Sequence, residues 1–166
     1  MSYVTFAEYQ ELYPNGASSQ QFTTLSWEAD RLLDKYTTGI DNVRKLQVAM
    51  PTEEYDLGAV KHCACALVNL LYQLSTLEEA AFSAAGFVSK ADGTVVGKQI
   101  SSISSGSESI SYSSGLGASG SSIGNAVSDP TVREQLFDRT VKHYLSGIPD
   151  ANGVNLLYMG VYPVVL

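Results

Sequence analysis

Four groups of residues in this chain have types and spacings that could do chemistry. Gly115-Leu-Gly-Ala-Ser-Gly120 matches G-x-G-x-x-G, the dinucleotide-binding fingerprint. That motif works only when it leaves a buried strand and opens a helix whose N-terminus receives the pyrophosphate. Here a polar serine run precedes it, and no acidic residue stands about 20 positions on in a βαβ setting. Gly120-Ser-Ser122-Ile-Gly124 matches G-x-S-x-G, the nucleophile elbow of serine hydrolases, and His143 follows it. The elbow needs a strand before, a helix after, and Asp and His later in the chain; His143 sits on the last helix beside Lys142, and the parallel sheet of a hydrolase is missing. His62, Cys63 and Cys65 could suggest a metal site. On one helix, however, positions i, i+1 and i+3 do not converge on a tetrahedral ion, and small buried thiols are the simpler reading. Glu53, Glu54 and Asp56 crowd the start of a helix, where negative charge complements the dipole. Glu78-Glu79 and Asp30-Arg31 read as solvated faces. The sequence therefore predicts no enzyme, with no catalytic, metal-binding or cofactor-binding residues.

The elements around these groups are easier to read. Thr5-Phe-Ala-Glu8 is a capping box ahead of a short helix that ends near Tyr13-Pro14-Asn15-Gly16. Ser18 or Ser19 caps a second helix, with Phe22, Leu25, Ala29, Leu32, Leu33 and Tyr36 along its apolar face. A third short helix is expected over 41–50, before Pro51. From Thr52 to about Phe82, Leu57, Val60, Ala64, Leu67, Leu71 and Leu74 recur at spacings of three and four, which predicts a long, largely buried central helix. Beyond Gly86 the pattern changes. Residues 95–103 and 110–112 suggest a hairpin of polar-faced strands, and 114–128 shows no periodicity. Asp129-Pro130 then supplies an N-cap and an N1 proline for a last helix, which Gly147 and Pro149 end.

The expected fold is mainly α: a small helical bundle with an inserted β-hairpin or long Ser/Gly-rich loop and an extended C-terminal tail. A single domain of 166 residues is expected, with its helical body at 1–88 and 129–148, the insertion at 89–128 and the tail at 149–166. Twelve of the twenty-four residues in 101–124 are serine, and a tract this long inside a compact domain points to a role outside it. The tail carries no charge after Asp150, and nine of the eleven residues in 156–166 are apolar. Something must cover that stretch, either its own helices or another protein. A net charge of -7 argues against a sequence-independent grip on nucleic acid. The two cysteines, two positions apart, exclude a disulfide framework. No run reaches about 18 uninterrupted apolar residues and the N-terminus lacks the features of a signal peptide, so a soluble protein made in the cytosol is expected, without a membrane partner.

The order of elements resembles the head-tail connector (adaptor, or head completion) proteins of tailed bacteriophages. The stretches carrying the resemblance are Tyr3-Val-Thr-Phe-Ala-Glu-Tyr, Glu28-Ala-Asp-Arg-Leu-Leu-Asp-Lys-Tyr-Thr and Val60-Lys-His-Cys-Ala-Cys-Ala-Leu-Val. To these add Gly106-Ser-Glu-Ser-Ile-Ser-Tyr112, Tyr144-Leu-Ser-Gly and Leu156-Leu-Tyr-Met-Gly-Val161. The resemblance implies a virion protein of the neck, forming a homo-oligomeric ring of typically about twelve copies beneath the portal. Such a ring extends the DNA channel and offers a platform to the tail-side completion or terminator protein. DNA passes through it without specific binding. In this reading Leu156, Leu157, Tyr158, Met159, Val161, Tyr162 and Val164 are candidates for portal docking. Ile100, Ile103, Glu108, Ile110 and Tyr112 are candidates for the channel, inter-subunit or tail-side loop. Removing 156–166 should then leave the helical body folded. The alternatives are another phage assembly component, such as a tail completion or minor capsid protein, a small bacterial helical interaction module, or a small serine hydrolase using Ser122.

Overall fold

A computed structural model describes residues 2–84, 86–89, 95–104, 109–113 and 122–163, with the backbone alone between 81 and 113. The chain is mainly α. Its helices are α1 (Phe6–Leu12), α2 (Ser19–Thr37), α3 (Lys45–Val48), α4 (Glu54–Ala84), α5 (Ser122–Ser128) and α6 (Pro130–Leu145). Three strands, β1 (Gly86–Ser89), β2 (Val95–Ser104) and β3 (Ser109–Ser113), stand between α4 and α5. Two compact units are present: 1–72 with 134–166, and 73–133, the division falling within α4 and α6.

In the first unit, the ends of α1 and α2 follow directly from the sequence. Thr5 and Glu8 form a reciprocal capping box, and Ser18 with Gln21 forms a second. Glu8 also meets the Lys61 ammonium on α4 at 2.6 Å. That ammonium, helped by the Thr5 backbone and hydroxyl, holds the Glu8 carboxyl down at about 2. The folded value lies below the ordinary 4.5, so the Glu8 contribution is complete above about 4.5 and is lost as pH falls toward about 2. Glu8→Gln is therefore expected to flatten part of the stability loss in that window. Urea midpoints measured across it check this, and the effect is small because the pair is partly solvated.

Tyr9 is the anchor of α1. Its ring is fully buried, with centroids 5.4 Å from Phe22 and 5.5 Å from Tyr13. Its hydroxyl accepts the Ala17 N–H at 2.9 Å, so the polar end is satisfied inside the core. Gly16 lies so close to that hydroxyl that an added Cβ would collide with it. The α4 stripe does what its spacing predicts: Val60, Cys63, Ala64, Cys65, Leu67 and Val68 are all buried. Leu33 of α2 and Val141 and Leu145 of α6 are buried too. By length and composition, Glu54–Ala80 of α4 could also cross a membrane; in this fold 39% of its most apolar stretch is buried.

The connection 38–44 differs from the expected helix over 41–50, which shrinks to α3. Asn42 adopts a left-handed conformation with φ of 59°, and Asp41 Oδ1 accepts the Val43 N–H at 3.2 Å, closing a side-chain turn that stops a helix from starting there. Thr38 and Arg44 then bridge antiparallel.

In the second unit, β1, β2 and β3 form an antiparallel sheet in that order. The expected hairpin is β2 with β3, in which Ile103 pairs with Ile110 and Ile100 with Tyr112, and the register shifts between Ile100 and Ser102. Strand β1 is an addition to the expected set: the helical body gives way to sheet already at Gly86, with Gly86 opposite Lys98. Helix α5 is a second addition, inside a tract that shows no periodicity. Arg133 fixes the junction between α5 and α6. Its guanidinium donates to the Ala126 and Val127 carbonyls, which end α5, and pairs with Glu78 of α4.

Candidate functional site

The stretches with catalytic patterns do not assemble into a reactive centre among the described residues. Ser122 opens α5 with its side chain exposed, and no described hydrogen bond joins it to a histidine or carboxylate. His143 is exposed on α6, edge-on to Tyr144. The G-x-G-x-x-G stretch lies outside the described residues. Cys63 and Cys65 are both buried, and burial pushes their thiols up to about 12 and about 11. His62 points to solvent, and no group of three metal-ligating side chains occurs among the described residues.

The tail is where the chain departs from an ordinary helical body. After α6, Gly147 takes a left-handed turn, and Pro149 bridges Asn155 in a tight loop closed by Asp150 N–H on the Val154 carbonyl at 2.8 Å. Asp150 is buried, yet its carboxylate accepts the Asn152 and Val154 N–H groups and the Tyr162 hydroxyl. Leu156 is fully buried, and its N–H returns to the Ile148 carbonyl.

From there the chain is stitched to the 38–45 connection. Lys45 has no exposed surface, and its ammonium donates to the Leu156 carbonyl at 3.0 Å and to the Tyr158 carbonyl. Burial lowers the Lys45 pKa, while the charges of Asp150 and Asp41 oppose that shift. Ile40 N–H reaches the Met159 carbonyl at 3.1 Å, and Tyr162 N–H reaches Asp41 Oδ2 at 2.5 Å. The Tyr162 N–H is the main cause of the lowered Asp41 pKa. Gly39 is required at this seam, because a Cβ there would lie 2.5 Å from the Gly160 carbonyl oxygen.

This stitching sorts the tail residues. Leu156 belongs to the core of its own chain, which removes it from any surface offered to a partner. Leu157 and Tyr162 are half-buried. Tyr158, Met159 and Val161 are exposed, and Ile40, joined to Met159 through the backbone, is 75% exposed beside them. The apolar surface is thus built by two segments 119 positions apart, Ile40 and Met159, held on a polar frame. Val164 lies outside the described residues, as does Glu108. For Ile100, Ile103, Ile110 and Tyr112 the structure gives the pairing register described above.

A second surface feature went unread in the sequence. A groove of about 1100 Å³ runs between the N-terminal segment, α2 and the 38–47 connection, with Tyr3, Trp27, Arg31, Asp34 and Arg44 in its lining. Tyr3 crosses it, its hydroxyl donating to Asp34 Oδ1 at 2.5 Å, while Gln47 donates to Asp34 Oδ2 at 2.6 Å. Asp30 is half-buried rather than solvated; burial raises its pKa, and it accepts the Tyr3 N–H at 3.3 Å. Trp27 and Arg31, four apart on α2, stack with the guanidinium 4.8 Å from the ring centroid. An exposed tryptophan one turn before an arginine was the signal available for it.

No family model matches the chain, and no curated protein or solved structure matches it either.

Proposed function

We propose that this chain is a structural virion protein that forms a ring between portal and tail, extends the DNA channel and provides the tail attachment platform. The observation that carries the reading is the tail. Hydrogen bonds from the buried Lys45 ammonium and to the Asp41 carboxylate tie its backbone to 38–45, while Tyr158, Met159 and Val161 are exposed beside Ile40. An exposed apolar surface whose backbone is already hydrogen-bonded within its own chain has less to order when a partner covers it, which suits permanent assembly. The net charge of -7 supports the same reading, since a channel that passes DNA should not hold phosphate. A small helical bundle with an inserted β-hairpin or long loop is the architecture that the resemblance implies.

The test is electron microscopy of the purified protein mixed with portal rings. A ring added at the portal's narrow end is the expected result. Replacing Tyr158, Met159 and Val161 together by serine is expected to weaken that attachment by more than about tenfold, as loss of a central apolar cluster does, with the circular dichroism spectrum unchanged. Bare portals beside free wild-type protein would reject the connector reading in favour of another assembly component.

A further inference from the structure

We infer that the Trp27–Arg31–Arg44 groove receives the N-terminal tip of α4 from a second copy of this chain, making the head-to-tail contact of the ring; the inference rests on the ring reading above. Copies carrying a net charge of -7 repel one another, so a stable contact has to set cations against anions. Few cations are free to do so. Lys35, Lys61, Arg133 and Lys142 are already paired with Glu134, Glu8, Glu78 and Asp138, and Lys45 is buried. Among the residues whose side chains are described, that leaves Arg31, Arg44 and Arg139 without an ion pair. Two of these three line one groove. Its acidic members, Asp30 and Asp34, are occupied by Tyr3 and Gln47, so the arginines face outward with their charge unanswered.

The complementary surface is on the same chain. Tyr55 is 82% exposed, more than any other large hydrophobic residue described, and it is flanked by Glu53, Glu54 and Asp56, none of which has an ion pair among the described residues. An aromatic ring among carboxylates fits a site made of a tryptophan, a stacked guanidinium and a second arginine: ring on ring, carboxylate on guanidinium fork. Groove and tip are different patches, so the contact is heterologous, and repetition by rotation closes a ring.

Sedimentation velocity of the full chain, alone and in the presence of portal rings, tests the contact. Arg44→Glu and Glu54→Arg are each expected to weaken self-association more than about tenfold, by placing like charges in the contact. Mixing the two variants in equal amounts is expected to restore it. In an alternating assembly one junction is then wild type and the next has its charges exchanged. Either single variant associating like wild type would overturn the inference. So would a mixture no better than its components, or a wild type that stays monomeric both alone and on portal rings. The two proposals fail separately. Ring formation by both variants on portal rings would sink only the groove contact. Normal charge-dependent self-association beside bare portals would sink only the connector reading.

Discussion

Lys45→Met is expected to destabilise the fold by about 2–4 kcal/mol and to release the tail from the 38–45 connection. Methionine fills the space of the lysine stem but leaves the Leu156 and Tyr158 carbonyls without their donor. A buried carbonyl stripped of its partner costs about 1–3 kcal/mol, the half-buried Tyr158 carbonyl being at the low end. The buried Asp150 carboxylate also loses a nearby positive charge. One effect opposes these: the lowered Lys45 pKa shows that the ammonium is costly to bury, and methionine removes that cost. Two carbonyls left without a donor and a lost counter-charge outweigh it. The urea midpoint is expected to fall with an unchanged slope, and amide exchange at Ile40 and Tyr162 is expected to accelerate ahead of the core. An unfolding free energy within about 0.5 kcal/mol of wild type would show that the carbonyls find other partners.

Removing 156–166 is expected to unfold most of the first unit, reversing the expectation that the helical body survives without its tail. Leu156 is fully buried, and losing a core leucine costs about 2–5 kcal/mol. The Lys45 ammonium would lose both its acceptors, and the Tyr162 N–H and the Met159 carbonyl would no longer pair with Asp41 and the Ile40 N–H, at about 0.5–1.5 kcal/mol for each hydrogen bond. Together these approach the whole stability of an ordinary domain, about 5–15 kcal/mol. Circular dichroism of the truncated chain is expected to show large loss of helix at 25 °C. The triple serine variant at Tyr158, Met159 and Val161 keeps its spectrum, because those side chains are exposed. A truncated chain with wild-type helicity and midpoint would return the tail to the status of a detachable arm.

What could be read from the sequence was local. Thr5 with Glu8, Ser18 with Gln21, and Pro130 after Asp129 mark helix starts because each cap is made within three residues of itself. The α4 stripe is visible because burial on one face repeats every three or four positions. Helix α5 escaped because serine and glycine are weak helix formers, so nothing in 114–128 stands out from the tract around it. The tail frame escaped for another reason: Lys45 and the Leu156 carbonyl are 111 positions apart, and a backbone acceptor leaves no trace in residue type. A lysine inside an otherwise ordinary short helix reads as solvated until the fold encloses it. The groove is likewise assembled from three separate segments, of which only the Trp27 and Arg31 pair is local.

The burial of the two cysteines has a practical corollary. Cys63 and Cys65 are the only thiols in the chain, both enclosed, and burial holds both far above the range in which a thiolate forms at neutral pH. A maleimide reagent at pH 7 has no accessible native target. A cysteine introduced at the exposed Met159 or Tyr55 becomes the sole reactive handle, without first stripping thiols from the core. Dyes or cross-linkers placed there one at a time can then report separately on the tail surface and on the α4 tip within a single assembling population.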